Sequence, residues 1–397
     1  MPRLVLATAI CALVLKLYLA WTTIGTNDVL AYWYFLQEYR GSGLVLLYRR
    51  DSEFNHPPFV IHWLMALRWI HLTTGAPPWF CLRLPPILAD FGSFLVVARL
   101  LGPRLALPSF RLGLFLVAAA PVSVMVSGFH GNNDSVMMFF VLLSILLLER
   151  SSPAWLAGIA MGMAVNMKIV PLVFWPAFLL WIPGWRKRAE YFVAAVVVVV
   201  AASSPAIFEA PELLAQKVLG YKSSYGLWGI SRLLASAPTL SRAFESWGRL
   251  VLAGALVALA AWMNLGRSKP ALARQIGVLA LAFLTLTPGF GVQYLAWLVP
   301  WMAWVGGGAA IAWTVATTFF LVLVYTFWCQ GVNFEAGDPN WLHASFWSQG
   351  LPWSFANANT MGEWRGPIVP VEIAAWLATV GAFASALRAA ALERARG

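Results

Sequence analysis

The chain has 397 residues, of which 60% are hydrophobic and 11% charged, whereas a soluble globular domain carries nearer a quarter of its residues as charges. That excludes a soluble enzyme and defines an all-α polytopic integral membrane protein. The formal charge of +11 does not indicate nucleic-acid binding, because the basic residues fall in short clusters between apolar spans and not along one soluble face.

Met1-Pro2-Arg3 followed by Leu4 to Trp21 has the flank of a secretory signal, but the apolar run is long and no small-x-small cleavage site follows, so it reads as an uncleaved first span. With Arg3 cytoplasmic, this span at about 4–22 exits outside and about 23–78 becomes a long external loop. Two helices are predicted within it, Asp28 to Tyr39 and Pro58 to Thr74. The second carries Arg68, His62 and His71 and suits a helix lying in the interface. Counting it as a span would put Arg99, Arg104 and Arg111 outside, against the positive-inside rule.

Further spans are predicted at about 79–101, 110–127, 135–149, 154–168, 170–182, 190–208, 248–264, 273–288, 292–306, 308–328 and 367–390, about twelve in all. Both ends are then cytoplasmic. Arg186-Lys187-Arg188, Arg267 with Lys269 and Arg274, and Arg394 with Arg396 fall inside. Arg40, Arg49, Arg50, Lys217, Lys222, Arg232 and Arg242 fall outside against the rule, as an anionic substrate on that face would explain. The other long external loops are about 209–247 and 330–366. Spans flanking Lys168 are shorter than the roughly 20 residues that cross hydrocarbon. Pro171 breaks the helix there and frees backbone groups that only protein or a water-filled cavity can satisfy. Lys168 is therefore expected to face a cavity from the outer side.

The 22 Trp residues fit interfacial aromatic belts and also offer stacking surfaces for a sugar or isoprenoid. Cys11, Cys81 and Cys329 lack the spacing of a zinc site. A disulfide between Cys81 and Cys329 on the outer face is one option.

Polar groups from distant segments converge on the outer side. They are Asp28, Arg49, Arg50 and His56; His130, Asn132, Asn133 and Asp134; Lys168; Lys222, Ser223, Ser224 and Tyr225; and Gln293 with Tyr294. Several have an ordinary alternative: Asp28 and the 130–134 run can cap helices, neighbouring Asn27 and Asn55 can form turns, and Arg49 and Arg50 can be solvated or meet lipid head groups. Asp90 sits inside a span, where an ionisable group is expensive and usually paired. A structural role is expected for it, with Lys16 as a partner unless Lys16 snorkels.

The order of Asn27-Asp28, Asn55-His56-Pro57-Pro58, Ala89-Asp90, Gly131-Asn132-Asn133-Asp134-Ser135, Asn166-Met167-Lys168-Ile169-Val170-Pro171 and Val292-Gln293-Tyr294-Leu295-Ala296-Trp297 resembles the GT-C class of membrane glycosyltransferases over about residues 1–300. The pattern is most similar to polyprenyl-phosphate-mannose-dependent mannosyltransferases, including the catalytic subunit family of GPI mannosyltransferase I. It also resembles the dolichyl-phosphate-glucose-dependent glucosyltransferases, which carry a His-Phe-Gln-Tyr-Asn run where this chain has His130-Gly131-Asn132-Asn133. The resemblance implies a GT-C-type helical bundle and an inverting enzyme that takes a hexose, preferably mannose, from a polyprenyl-phosphate donor. The acceptor would be a lipid or glycan on the non-cytoplasmic face of a bacterial or archaeal membrane.

The resemblance further implies that Asp28 is the general base, drawing the proton from an acceptor hydroxyl as that oxygen attacks the anomeric carbon. The departing phosphate needs cations, for which Lys168, Lys222, Arg49 and Arg50 are candidates, while His56, His130, Asn132, Asn133, Tyr225, Gln293 and Tyr294 would position phosphate or sugar. Metal-dependent relatives use acidic pairs, but Asn27-Asp28 and Asn133-Asp134 each offer one carboxylate, which is thin ligation. Metal-free catalysis with no cofactor is expected. Residues 1–208 read as the catalytic module and 209–397 as a variable transmembrane module. A transporter or lipid-linked-sugar flippase is the main alternative, supported by the short helices around Pro171. A non-catalytic assembly subunit would leave Asp28 and the outer cations without a task.

Overall fold

A computed structural model describes residues 1–23, 25–51, 53–266, 268–330 and 368–395. The chain is helical throughout, apart from a two-residue antiparallel pairing of Ser224–Tyr225 with Gly289–Phe290 among the described residues. Among the described residues, six segments are long and apolar enough to cross a bilayer: Arg3–Thr22, Pro78–Ala106, Pro108–His130, Pro238–Asn264, Gly307–Tyr325 and Ile368–Ala395. The twelve predicted spans also include shorter apolar helices, such as Ala154–Met167 and Leu272–Leu286. Val14, Tyr18, Val197, Val251 and Phe319 stay exposed on the long helices, as side chains that meet lipid do.

Helix Ala154–Met167 packs between Asp134–Glu149 and Trp185–Glu209. Small residues set this approach: a Cβ on Gly158 would lie 2.2 Å from the Tyr191 carbonyl, and one on Gly162 would lie 2.7 Å from that of Ala195. Without a hydrophobic drive between helices in lipid, such backbone proximity supplies the van der Waals contact that holds them.

The segment between the first two long apolar helices is a packed platform. Helices α1 (Arg3–Thr22), α2 (Asn27–Ser42), α3 (Leu44–Arg50), α4 (Phe59–Thr74) and α5 (Pro78–Leu101) follow in order. Val29, Tyr32 and Leu36 recur at helical spacing on α2, and Val60, Leu64 and Leu67 do so on α4. With Leu47, Tyr48 and Phe54 they form a core separate from the main transmembrane one. At roughly 1.5–3 kcal/mol for each large side chain buried, this core fixes the start of α2, where Asp28 sits. The 16-residue α4 is below spanning length, consistent with its reading as a helix at the interface.

Candidate active site

Asp28 lies in the first turn of α2, yet Thr26 is the capping position and no side chain caps the helix. The carboxylate is engaged elsewhere. Its Oδ2 is 3.0 Å from His130 Nε2 and accepts a 2.9 Å hydrogen bond from the Asn132 amide. Across the imidazole, His130 Nδ1 is 2.6 Å from the Thr26 hydroxyl, and the ring stacks on Tyr325 at 5.2 Å. Residues 26, 28, 130 and 132 thus make one network.

His130 reaches Asp28 because Val124–His130 is a π-helical turn, closed by a bond from the Gly131 N–H to the Val126 carbonyl. Such turns are common at functional positions because they re-aim side chains. Gly131 then takes φ +85°, and a Cβ there would lie 2.7 Å from Val29 Cγ2. The run 130–134 does cross into the next helix, but Asn133 at the capping position makes no side-chain cap.

Asp134 is fully buried and accepts two bonds from Lys168 Nζ, at 2.9 and 3.0 Å, and one from the Trp297 indole. Lys168 lies where helix Ala154–Met167 ends, in an extended conformation, before Pro171 opens a 3₁₀ turn. The break predicted at Pro171 therefore does aim Lys168 into a cavity. The ammonium sits 5.1 Å from the Tyr294 ring centroid and 5.8 Å from that of Trp297.

The cavity has a volume of about 250 Å³, and its walls include Asn55, Lys168, Lys222, Tyr225, Tyr294 and Arg249. Arg249 also donates to the Tyr221 carbonyl at 3.1 Å. Beside it, and sharing Pro57, Ile169 and Val218, is an almost wholly apolar cavity of about 300 Å³ between Asn166, Trp175, Val199 and Leu214.

Burial alone would raise the Asp28 carboxyl, but His130, Asn132 and the Lys168 charge hold it at about 2. It is a carboxylate at any physiological pH. Burial pushes the His56 imidazole down to about 3, with Lys168 adding to the effect and Asp28 opposing it. His56 is neutral, and its Nδ1 has no hydrogen-bond partner among the described residues. The same holds for the side-chain carbonyl oxygens of Asn132 and Asn133. Burial, with Asp28 among the neighbours, raises the phenols of Tyr32 and Tyr221, which stay protonated.

Replacing His130 by Ala should shift the acid limb of kcat/KM upward by about one pH unit or more. The imidazole is the largest favourable influence on the carboxylate; without it burial dominates, the carboxyl rises, and the ionised form is lost at higher pH. Profiles that superimpose for the two proteins would show that the pair is not linked in this way.

Several of the cations expected on the outer face find protein partners. Arg50 pairs with Glu38 at 3.1 Å on the surface, and Arg49 is exposed at the end of α3. Neither lines the cavity beside Lys168, because α3 packs its Leu47 and Tyr48 inward and turns its last two residues out. Lys217 donates to the Asp51 carbonyl and Arg232 pairs with the buried Glu372. Gln293 also lies off the cavity wall, close to Gly291, whereas Tyr225 is on the wall with its hydroxyl on the Ser241 carbonyl. Lys16 does pair with Asp90, at 3.1 Å. The side chain of Cys329, and with it a pairing to Cys81, lies outside the described residues, as do Arg267, Arg396 and nearly all of the 330–366 loop.

Sequence reasoning missed Arg83, Tyr221 and Arg249. Tyr221 and Arg249 are distant in sequence from the motifs and are recruited only by packing. Arg83 falls inside a predicted span, where a lone charge in an apolar run is itself a signal, as it is for Asp90.

A half-buried carboxylate held ionised, a cation-lined hollow and an adjoining apolar cavity, all carried by a helical membrane protein, define a membrane-embedded enzyme. The chain belongs to glycosyltransferase family 87, whose family model matches residues 54–287. It is 28% identical over 354 residues to a polyprenol-phosphate-mannose-dependent alpha-(1-2)-phosphatidylinositol pentamannoside mannosyltransferase of Mycolicibacterium smegmatis, with 83% of this chain and 76% of the relative covered. A protein of the same name from Mycobacterium tuberculosis is 25% identical over 358 residues, covering 84% of this chain and 74% of that one. No solved structure matches the chain. The protein is an integral membrane glycosyltransferase, and the transporter reading is set aside.

Proposed function

We propose that this enzyme transfers mannose from a polyprenyl-phosphate donor to a lipid or glycan acceptor on the non-cytoplasmic face of a prokaryotic cell membrane, with inversion. The observation that carries this reading is the ionised Asp28 held by His130 and Asn132 within the electrostatic reach of Lys168. Asp28 takes the proton of the acceptor hydroxyl, that oxygen forms the new bond to the anomeric carbon, and the bond to the polyprenyl phosphate breaks on the opposite face. Negative charge gathers on the phosphate, where Lys168, Lys222 and Arg249 on the cavity wall receive it. The apolar cavity beside it suits the first isoprene units. His56 Nδ1 and the Asn132 and Asn133 oxygens offer bonds to sugar hydroxyls.

In this reading residues 1–208 supply the base and Lys168, and residues 209–397 complete the cavity through Lys222, Arg249 and Tyr294. In this reading no metal takes part, and the side-chain cations on the cavity wall do the work at the phosphate.

The test is transfer by the purified protein in lipid nanodiscs, offered polyprenyl-phosphate mannose, polyprenyl-phosphate glucose and nucleotide sugars, each labelled. Label should move from polyprenyl-phosphate mannose and persist after exhaustive chelation. Transfer from a nucleotide sugar alone would refute the donor class. Loss on chelation with recovery in manganese would refute metal-free catalysis.

A further inference from the structure

Arg83 is fully buried in α5, and its partners among the described residues are neutral oxygens. Nη2 donates to the carbonyls of Ala20 and Thr23 at the end of α1. Nη1 donates to the Thr23 hydroxyl at 3.0 Å and to the carbonyls of Gly128 and Phe129 at 3.2 and 3.0 Å. The guanidinium therefore joins two stretches of backbone that are far apart in sequence. One runs on within three residues to Thr26 and then Asp28. The other runs directly into His130.

Two helical turns further along α5, Asp90 repeats the arrangement. Its Oδ2 meets Lys16 Nζ of α1 at 3.1 Å, the Ser123 hydroxyl at 2.7 Å and the Ser127 hydroxyl. Residues seven apart lie on one face of a helix, so this face of α5 grips α1 and the 121–130 segment at two levels. The fit between those two is close, since a Cβ on Gly128 would lie 3.0 Å from Lys16 Cα. An uncompensated cation within a span is too expensive to persist as packing alone, and a guanidinium supplies several donors in one rigid plane, which a lysine cannot do.

We propose that Arg83 is a positioning residue for glycosyl transfer: by clamping the carbonyls before Thr26 to those before His130, it sets the geometry of the Asp28 and His130 pair, with Asp90 as the lower brace. This rests on the reading of Asp28 as the base. Arg83 itself touches neither substrate nor the reacting atoms. The titratable groups that face Asp28 are His130, Lys168, His56, Tyr32 and Tyr221. Of these, His130 is the one the clamp holds.

The test compares Arg83→Lys, Arg83→Met and Gly25→Ala in the full-length protein in nanodiscs. The third drives a Cβ to 2.5 Å from the Phe129 carbonyl and 3.3 Å from Arg83 Nη1, wedging the same junction while keeping the arginine. Per folded molecule, kcat should fall about 10- to 100-fold, the size expected of an ångström-scale misplacement, with donor KM within about threefold. The acid limb of kcat/KM should move upward as His130 withdraws from the carboxylate. Arg83→Lys should keep more activity than Arg83→Met.

An unmoved pH profile in the folded variants, or a raised donor KM at unchanged kcat, would overturn the clamp. If neither Arg83 variant folds, Gly25→Ala decides by the same two readouts. Asp28→Asn measured alongside keeps the two ideas apart: an active Asp28→Asn protein defeats the base assignment, whereas an inactive one beside an unmoved Arg83 profile defeats only the clamp.

Discussion

Asp28→Asn is expected to lower kcat for sugar transfer by about 10²–10⁴-fold, the range a positioned general base supplies. Donor KM should stay within about threefold and thermal stability close to that of the parent. The asparagine keeps the size of the side chain and can still accept hydrogen bonds from His130 and Asn132 through its carbonyl oxygen. What it loses is the ability to take a proton. The carboxylate is well placed for that loss to be visible: its surroundings keep it ionised far below neutral pH, so no other protonation state compensates. Comparable transfer rates in the two proteins, measured with saturating donor, would reject Asp28 as the base.

The second large effect concerns Lys168, which has two tasks. Asp134 has no exposure at all and draws both carboxylate oxygens to the ammonium. Lys168→Met therefore strands a buried charge, and breaking such a pair costs about 3–5 kcal/mol. It also removes a cation from the wall of the cavity that would take the phosphate, for which a loss of about 10²–10³ in kcat is expected. The double substitution Lys168→Met with Asp134→Asn separates the tasks. Stability should return toward that of the parent, because no charge is left uncompensated and the Trp297 indole keeps an acceptor. Activity should not return. Recovery of transfer in the stabilised double variant would show that Lys168 serves the fold alone.

Arg49 and Arg50 illustrate how a reading by residue type overreaches. Both are basic and near the motif, yet Arg50 is satisfied by Glu38 twelve positions earlier and Arg49 is exposed. Arg249 shows the converse. It lies in the long helix Pro238–Asn264, with no motif around it, and enters the site because that helix forms one wall of the cavity. Lys168 was legible because a local rule fixed it: a proline ends the helix, the freed backbone needs a polar setting, and the cation beside the break must share that setting.

By itself the chain's order of residues determined the helical membrane class, two of the three helices between α1 and α5, the break at Pro171 and the need of Asp90 for a partner, with Lys16 as one option. Each follows from composition, helical period or the expense of an isolated charge in hydrocarbon, all of which act over a few turns. Only the tertiary structure decided that His130 and not a helix cap engages Asp28, that Asp134 claims Lys168, and that Arg83 ties the two strands of backbone leading there. Those choices depend on which faces of distant helices meet. Periodicity says that a face is buried, but a hydrogen bond forms only where packing brings a particular donor to within about 3 Å of a particular acceptor.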